Sequence, residues 1–123
     1  MDRAEWGPCA ARAAYVTKDG SEICELWHPD YHGTGALSLA RATVPAGEQT
    51  RLHRHVCAEE VYHVLSGSGV MDLGLRHFVV RAGDTVHISP GMAHRVSASA
   101  EAPLVILCCC TPPYRHDDTE ILS

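Results

Sequence analysis

Histidines 53 and 55 flank Arg54, two glutamates follow at 59 and 60, and His94 comes after a Pro90-Gly91 pair. Imidazole nitrogens and carboxylate oxygens are donors that Zn, Fe, Ni, Mn and Cu accept from proteins. On a strand, alternate side chains share a face and advance about 3.3 Å per residue. His53 and His55 then stand on one face roughly 6.6 Å apart at Cα. Both rings can lean onto one ion, while Arg54 goes to the opposite face. The same parity predicts Arg51 on the histidines' face, at the mouth of any cavity they line. A neighbouring strand that opens at Glu60 brings a carboxylate to the same ion, with Tyr62 and Val64 on its face and His63 on the other. His53, His55, Glu60 and His94 make a four-donor set for one divalent ion of unassigned identity.

The segments that must position these donors are short and punctuated. "SLARATVP", "AGEQT", "EVYHVLSGSGVMDLG", "LRHFVVRAGDTVHISPG" and "HRVSASAEAPLVILCC" are rich in Val, Ile, Leu and Tyr and broken by glycines. That rhythm predicts an all-β sandwich or barrel, not alternating β and α units. "WGPCAARAAY" offers a helical turn or two near the start, and "TPPYRHDDTEILS" reads as two strand-ending prolines followed by a polar exit. No internal repeat or linker divides the chain, so residues 1–123 are expected to form one domain.

The spacing Gly47-x5-His53-x-His55-x4-Glu60-x6-Gly67 matches, at every fixed position, the first motif of the cupin superfamily. Gly83-Asp84 followed by Pro90, Gly91 and His94 is similar to the second. Motif one at 47–67 and motif two at 83–98, with the segment between them, cover about half the chain, and residues 111–123 form the tail. The resemblance is to the single-domain bacterial metal-binding cupins (the cupin 2 conserved barrel type). It implies a small jelly-roll (double-stranded β-helix) barrel with His53, His55, Glu60 and His94 holding one metal ion. Ser89 stands where the second motif usually has proline and Ala98 where it ends in asparagine, neither a ligand position. The adjacent glutamates leave Glu59 open as the carboxylate donor, although the step to Gly67 favours Glu60.

Composition narrows the partners. The net charge is -5 and Lys18 is the sole lysine, which argues against nucleic acid and anionic membranes, whose charge attracts basic surfaces. The longest apolar run, Leu104 to Cys110, is far short of a membrane helix. Six cysteines, three of them consecutive at 108, 109 and 110, make a poor disulfide framework because neighbours on a strand point opposite ways. Reduced thiols in a cytoplasmic protein are the expectation, with the triplet in a buried last strand and Cys57 structural or just behind the ligands. His28, His32, His63, His77, His87 and His116 read as ordinary surface or core histidines.

Four protein donors on a six-coordinate ion leave up to two positions for a small-molecule substrate, water or oxygen. With Arg51 added, such a pocket is expected to take anionic or enolisable molecules, and Tyr62 offers a hydroxyl for proton transfer or orientation. Three classes of function follow: a redox-neutral isomerase, epimerase, cyclase or lyase, an Fe- or Mn-dependent dioxygenase, and a non-catalytic binding module. Cupins supply all three. The apolar strand "GALSLARATV" with Leu52, Val61 and Leu65 is the candidate interface of a homodimer, which the resemblance also implies.

Overall fold

The computed structural model describes residues 14–33 and 35–123; the expected N-terminal helical turns lie almost wholly outside them. Among the described residues eleven strands form two antiparallel sheets. In chain order they are β1 (Tyr15–Val16), β2 (Glu22–Trp27), β3 (Ser38–Val44), β4 (His53–His55), β5 (Glu59–Ser66), β6 (Ser68–Leu73), β7 (Arg76–Arg81), β8 (Thr85–Ile88), β9 (His94–Ala98), β10 (Leu104–Thr111) and β11 (Thr119–Ile121). A single helical turn, α1 (Pro29–His32), follows β2, and a 3₁₀ turn at His116–Asp118 precedes β11. One sheet runs β1-β2-β3-β10-β5-β8 and the other β11-β4-β9-β6-β7. The fold is an all-β jelly roll.

Alternation explains both the core and the cavity. In β3, Ser38, Ala40, Ala42 and Val44 point inward and the residues between them are half-buried. Three of these four are small, and the space they leave becomes a cavity. Elsewhere the barrel is filled by larger side chains: Val64, Met71, Ile88, Leu104 and Ile106 are essentially inaccessible. Burying each such side chain contributes about 1.5–3 kcal/mol.

Two glycines are required where they stand. Gly69 lies so close to β9 that an added Cβ would sit 1.9 Å from the Ser97 carbonyl oxygen. Gly91 adopts φ 78° in a Ser89–Met92 turn, closed by Met92 N–H donating to Ser89 O at 3.1 Å with proline in the preceding position. Gly91 N–H also donates to His55 O at 2.7 Å, which ties this turn to the histidine strand.

Two expectations differ from the structure. "AGEQT" is a turn with a single bridge, Gln49 to Ser97, because Pro45 to Glu48 reverse the chain through Gly47. The tail does not simply exit. It returns as β11 and pairs with β4, opposing Thr119 to His55 and Ile121 to His53. Strand β3, named above as part of a candidate dimer surface, is interior to its sheet, between β2 and β10.

Candidate metal centre

The register of both sheets gathers the donors. His53 on β4 is paired with His94 on β9 in one sheet, and Glu60 on β5 is paired with Cys110 on β10 in the other. All four sequence-predicted donors are buried, and ligand nitrogens of His53, His55 and His94 lie within 4.8 Å of one another. These three residues can hold a metal ion. Glu60 faces them, whereas Glu59 points outward to His87, so β-strand alternation separates the adjacent glutamates.

The tautomers follow from the hydrogen bonds. A carbonyl oxygen only accepts, so Nδ1 of His53 donates to Arg51 O at 2.7 Å and Nδ1 of His94 to Met92 O at 2.9 Å. The Thr119 hydroxyl gives its hydrogen to Arg115 O and accepts one from His55 Nδ1, both at 3.0 Å. Every ring therefore presents Nε2 to the centre. There the nitrogens meet carboxylate oxygens: His55 to Glu60 Oε1 at 3.1 Å, His94 to the same oxygen at 3.5 Å, and His53 to Asp19 Oδ2 at 3.3 Å. His94 Nε2 is buried with no hydrogen-bond partner among the described residues. Lone pairs facing anionic oxygens repel unless a cation or proton lies between them. The separations match the ~3.0–3.4 Å between adjacent donors around an ion with bonds of about 2.1 Å. The residues fit a divalent metal.

Without the ion a proton takes that place in part. Burial pulls the His55 pKa down, but the Glu60 carboxylate outweighs it and the pKa ends above 6.5. His53 goes the other way, lowered by burial and by neighbouring His94. Burial alone would raise Glu60, yet the imidazoles of His55 and His94 beside it hold its carboxyl well below the usual range. Cys110 Sγ donates to Glu60 Oε2 at 3.2 Å, and burial pushes that thiol's pKa far up, so the donor stays protonated.

The site opens on a cavity of about 40 Å3, whose lining includes Asp19, Glu25, Ser38, Tyr62, Cys108 and Tyr114. That volume takes a few water-sized groups. Tyr62 stands where strand parity predicts it, buried, its ring edge-on to His94 at 5.8 Å between centroids. Burial raises its pKa well above 10, so it can donate a proton but is no base near neutral pH.

Arg51 corrects the sequence reading. Its side chain is exposed and donates to the main-chain oxygen of Ser123 at 2.8 and 3.2 Å, outside the cavity. The parity argument fails because β4 begins only at His53. Thr50 to Leu52 follow an irregular path, in which Thr50 is buried against Val96 and Arg51 N–H donates to Asp19 O. Among the described residues no lysine or arginine lines the cavity, and three carboxylates (Asp19, Glu25 and Glu60) do. Cys57 is exposed, and its main-chain N–H is held by Asp118. His28, His32, His63, His77, His87 and His116 find partners elsewhere, as expected.

Asp19 and Thr119 were missed from sequence. Asp19 sits in the β1–β2 hairpin, where Oδ1 accepts from Thr17 Oγ1, Ser21 N–H and Ser21 Oγ at 2.6–2.9 Å, leaving Oδ2 for the centre. A Thr-x-Asp-x-Ser run bonding to itself in a tight turn was the available signal. Thr119 carried none, because only the return of β11 brings it to His55.

The family model described as Cupin domain matches residues 40–110. An uncharacterized protein from Methanocaldococcus jannaschii is 49% identical over 109 residues, covering 89% of this chain and 87% of that protein. Auxin-binding protein 1 of Arabidopsis thaliana is 34% identical over 62% of this chain and 42% of its own length, so this chain spans less than half of it. The oxalate-binding protein of Thermotoga maritima is 29% identical over 70% and 71%. Among solved structures, Streptomyces PAC13 with uridine superposes with TM-score 0.79 at 16% identity, covering 98% of this chain and 92% of that one. Lactobacillus farciminis oxalate decarboxylase superposes with TM-score 0.78 at 18% identity, over 90% and 33%. At these identities the superpositions speak for the fold. No helix among the described residues is long and apolar enough to cross a membrane.

Proposed function

Because the chain belongs to the cupin family, we propose that its buried histidine cluster is the centre of a mononuclear, divalent-metal-dependent enzyme acting on a small oxygenated organic molecule. The proposed chemistry is redox-neutral, of the isomerase, epimerase, cyclase or lyase kind. One observation carries the reading. Three imidazoles, each with Nδ1 committed to an acceptor, turn Nε2 toward one point against Glu60 and Asp19. Nothing in the interior packing requires that arrangement, and a cation satisfies it.

His53, His55, His94 and Glu60 would hold the ion, with Asp19 Oδ2 as a further anionic donor on the His53 side. When bound, a divalent ion supplies Lewis acidity toward a carbonyl or hydroxyl oxygen. The chain's own residues do the rest. Arg51 O, Met92 O and Thr119 Oγ1 fix the rings, as outer partners of metal-binding histidines do. Tyr62 keeps its proton at the cavity wall, positioned to donate it. Ala40, Ala42, Val96 and Ile106 exclude water from the remaining wall. The expected anionic substrate loses its basis with Arg51 outside the cavity.

Metal analysis of protein purified without a nickel column tests the assignment. About one equivalent of a divalent ion is expected in the parent and none in His55→Ala; full occupancy in the variant sinks it. Turnover of small hydroxy and carbonyl compounds, compared with and without air, separates redox-neutral chemistry from oxygen activation. Two relatives are named as binding proteins, which favours a non-catalytic ligand binder as the second reading. Stoichiometric metal and ligand binding with no turnover would select it.

A further inference from the structure

At the far side of the cavity from the histidine strand lies an acidic group that the metal reading does not use. Glu25, on β2, is 5% exposed. Its Oε1 accepts the Tyr15 hydroxyl at 2.7 Å, which fixes the carboxylate's orientation. Its Oε2 is buried and has no hydrogen-bond partner among the described residues. An unpartnered buried carboxylate oxygen costs stability, because the water it gave up is not replaced. If Glu25 served only to anchor Tyr15, one oxygen would suffice and a neutral amide would do it at lower cost.

Glu25 also borders two spaces. It lines the inner cavity together with His53, His55 and Glu60, and it lines an outer groove of about 370 Å3 with Tyr15, Tyr114 and Arg115. Tyr114 likewise lines both. Sheet register relates Glu25 to the site: Glu25 pairs with Ala40, Ala40 with Cys108, and Cys108 with Tyr62. Three strand spacings, roughly 14 Å at Cα, thus separate Glu25 from Tyr62, and both side chains border the space between.

We propose that Glu25 is the substrate-recognition carboxylate of this cavity, its free Oε2 accepting a hydrogen from a hydroxyl or ammonium group of the substrate. The substrate class is a small neutral polyol or amino alcohol, not a carboxylic acid. The proposal rests on the cavity being the substrate site of the metal-centre reading, and it deepens that reading. The lining supports it independently. Among the described residues no lysine or arginine lines the cavity to receive an anion, whereas Ser38, Ser21 and Thr17 line it alongside the carboxylates. A ligand oxygen or nitrogen that donates to Oε2 removes the penalty that the empty site carries.

The test titrates zinc-loaded protein with 2-aminoethanol and with glycolate by ligand-observed NMR, in the parent and in Glu25→Gln. The parent is expected to prefer the amino alcohol, and Glu25→Gln to weaken it at least tenfold while leaving zinc content and glycolate binding within twofold. Zinc-free Glu25→Gln should also melt at a higher temperature than the zinc-free parent, since a neutral amide costs less to bury than a carboxylate with one unsatisfied oxygen. A structural anchor would give the opposite shift. A parent without preference between the probes, a variant that keeps the parent's preference, or a lower melting temperature for the variant overturns the proposal. The two readings fail separately. Glu25-dependent binding by a protein that holds no metal would sink the metal centre and keep the subsite; full zinc occupancy without Glu25 dependence would do the reverse.

Discussion

Replacing Thr119 by valine tests whether the tail sets the chemistry of His55. Valine keeps the shape and β-branched packing of threonine but removes the oxygen that accepts His55 Nδ1–H at 3.0 Å and donates to Arg115 O. Thr119 is 4% exposed, so water does not readily replace it. The ring then has two choices. It can keep hydrogen on Nδ1 and bury an unpaired donor, at about 1–3 kcal/mol. Alternatively it can move that hydrogen to Nε2, where Glu60 Oε1 waits at 3.1 Å. The second choice satisfies the metal-free protein and opposes the metal, which needs the Nε2 lone pair.

Metal affinity is therefore expected to fall 10- to 100-fold, the usual scale for losing an outer partner of a metal-bound histidine, or about 1.4–2.7 kcal/mol. Melting of the metal-free protein should change by less than that, because the tautomer shift recovers one hydrogen bond. Competition against a fluorescent chelator reads the affinity, and thermal denaturation reads the fold. A variant that binds metal within twofold of the parent would refute the argument, since His55 would then need no help in choosing its tautomer.

Calorimetry in two buffers of different ionisation enthalpy should show proton release on metal binding that persists above pH 6.5. The raised His55 pKa keeps that ring partly protonated there, while Glu60 is already ionised and His53 already neutral. The sign follows: affinity rises with pH until His55 is fully deprotonated. Release that vanishes at pH 6.5 would contradict it. Arg51→Ala should leave metal content unchanged and lower stability by under about 1 kcal/mol, the scale of an exposed ionic contact; lost metal would return Arg51 to the site. A homodimer is expected, with the outward faces of β3 and β5 as the candidate surface. Light scattering at micromolar concentration checks it, and a monomer counts against it.

What was legible in the sequence followed one rule, the period of two within a regular strand. It placed His53 and His55 together, put Tyr62 on the cavity wall and sent His63 outward, whereas Glu59 and Glu60 were separated only by the structure, which turns Glu59 outward to His87. The rule broke where the strand did. Arg51 lies two residues before His53, but the ladder has not started there, and its side chain leaves for Ser123. Asp19 and Thr119 escaped for another reason. Each reaches the centre through a pairing distant in sequence, the hairpin before β2 and the return of β11 on β4. A polar tail of three β-forming residues resembles an unstructured one until its partner is known. Glu25 was invisible in the same way, because a glutamate in a strand ordinarily faces water.

The cysteine triplet reads as a buried strand, and alternation makes it more than filler. Cys108 and Cys110 face the cavity, while Cys109 lies on the other face. Cys110 supplies the hydrogen bond to Glu60 Oε2, leaving Oε1 turned to the histidines. Cys110→Ala removes this donor from a buried carboxylate, a loss of about 1–3 kcal/mol. The anionic form of Glu60 then becomes less favourable, and metal affinity is expected to fall by roughly tenfold, about 1.4 kcal/mol. Cys110→Ser keeps a donor at nearly the same place and should restore most of the affinity. The pair separates donor from ligand. If Cys110 bound the metal as a thiolate, serine would rescue nothing, and the cobalt-substituted parent would show an intense thiolate-to-metal band in the near ultraviolet. Cobalt-loaded parent without that band, together with a serine variant close to the parent, is the expected result. Loss of affinity in both variants would make Cys110 a ligand and displace Glu60 from the assignment.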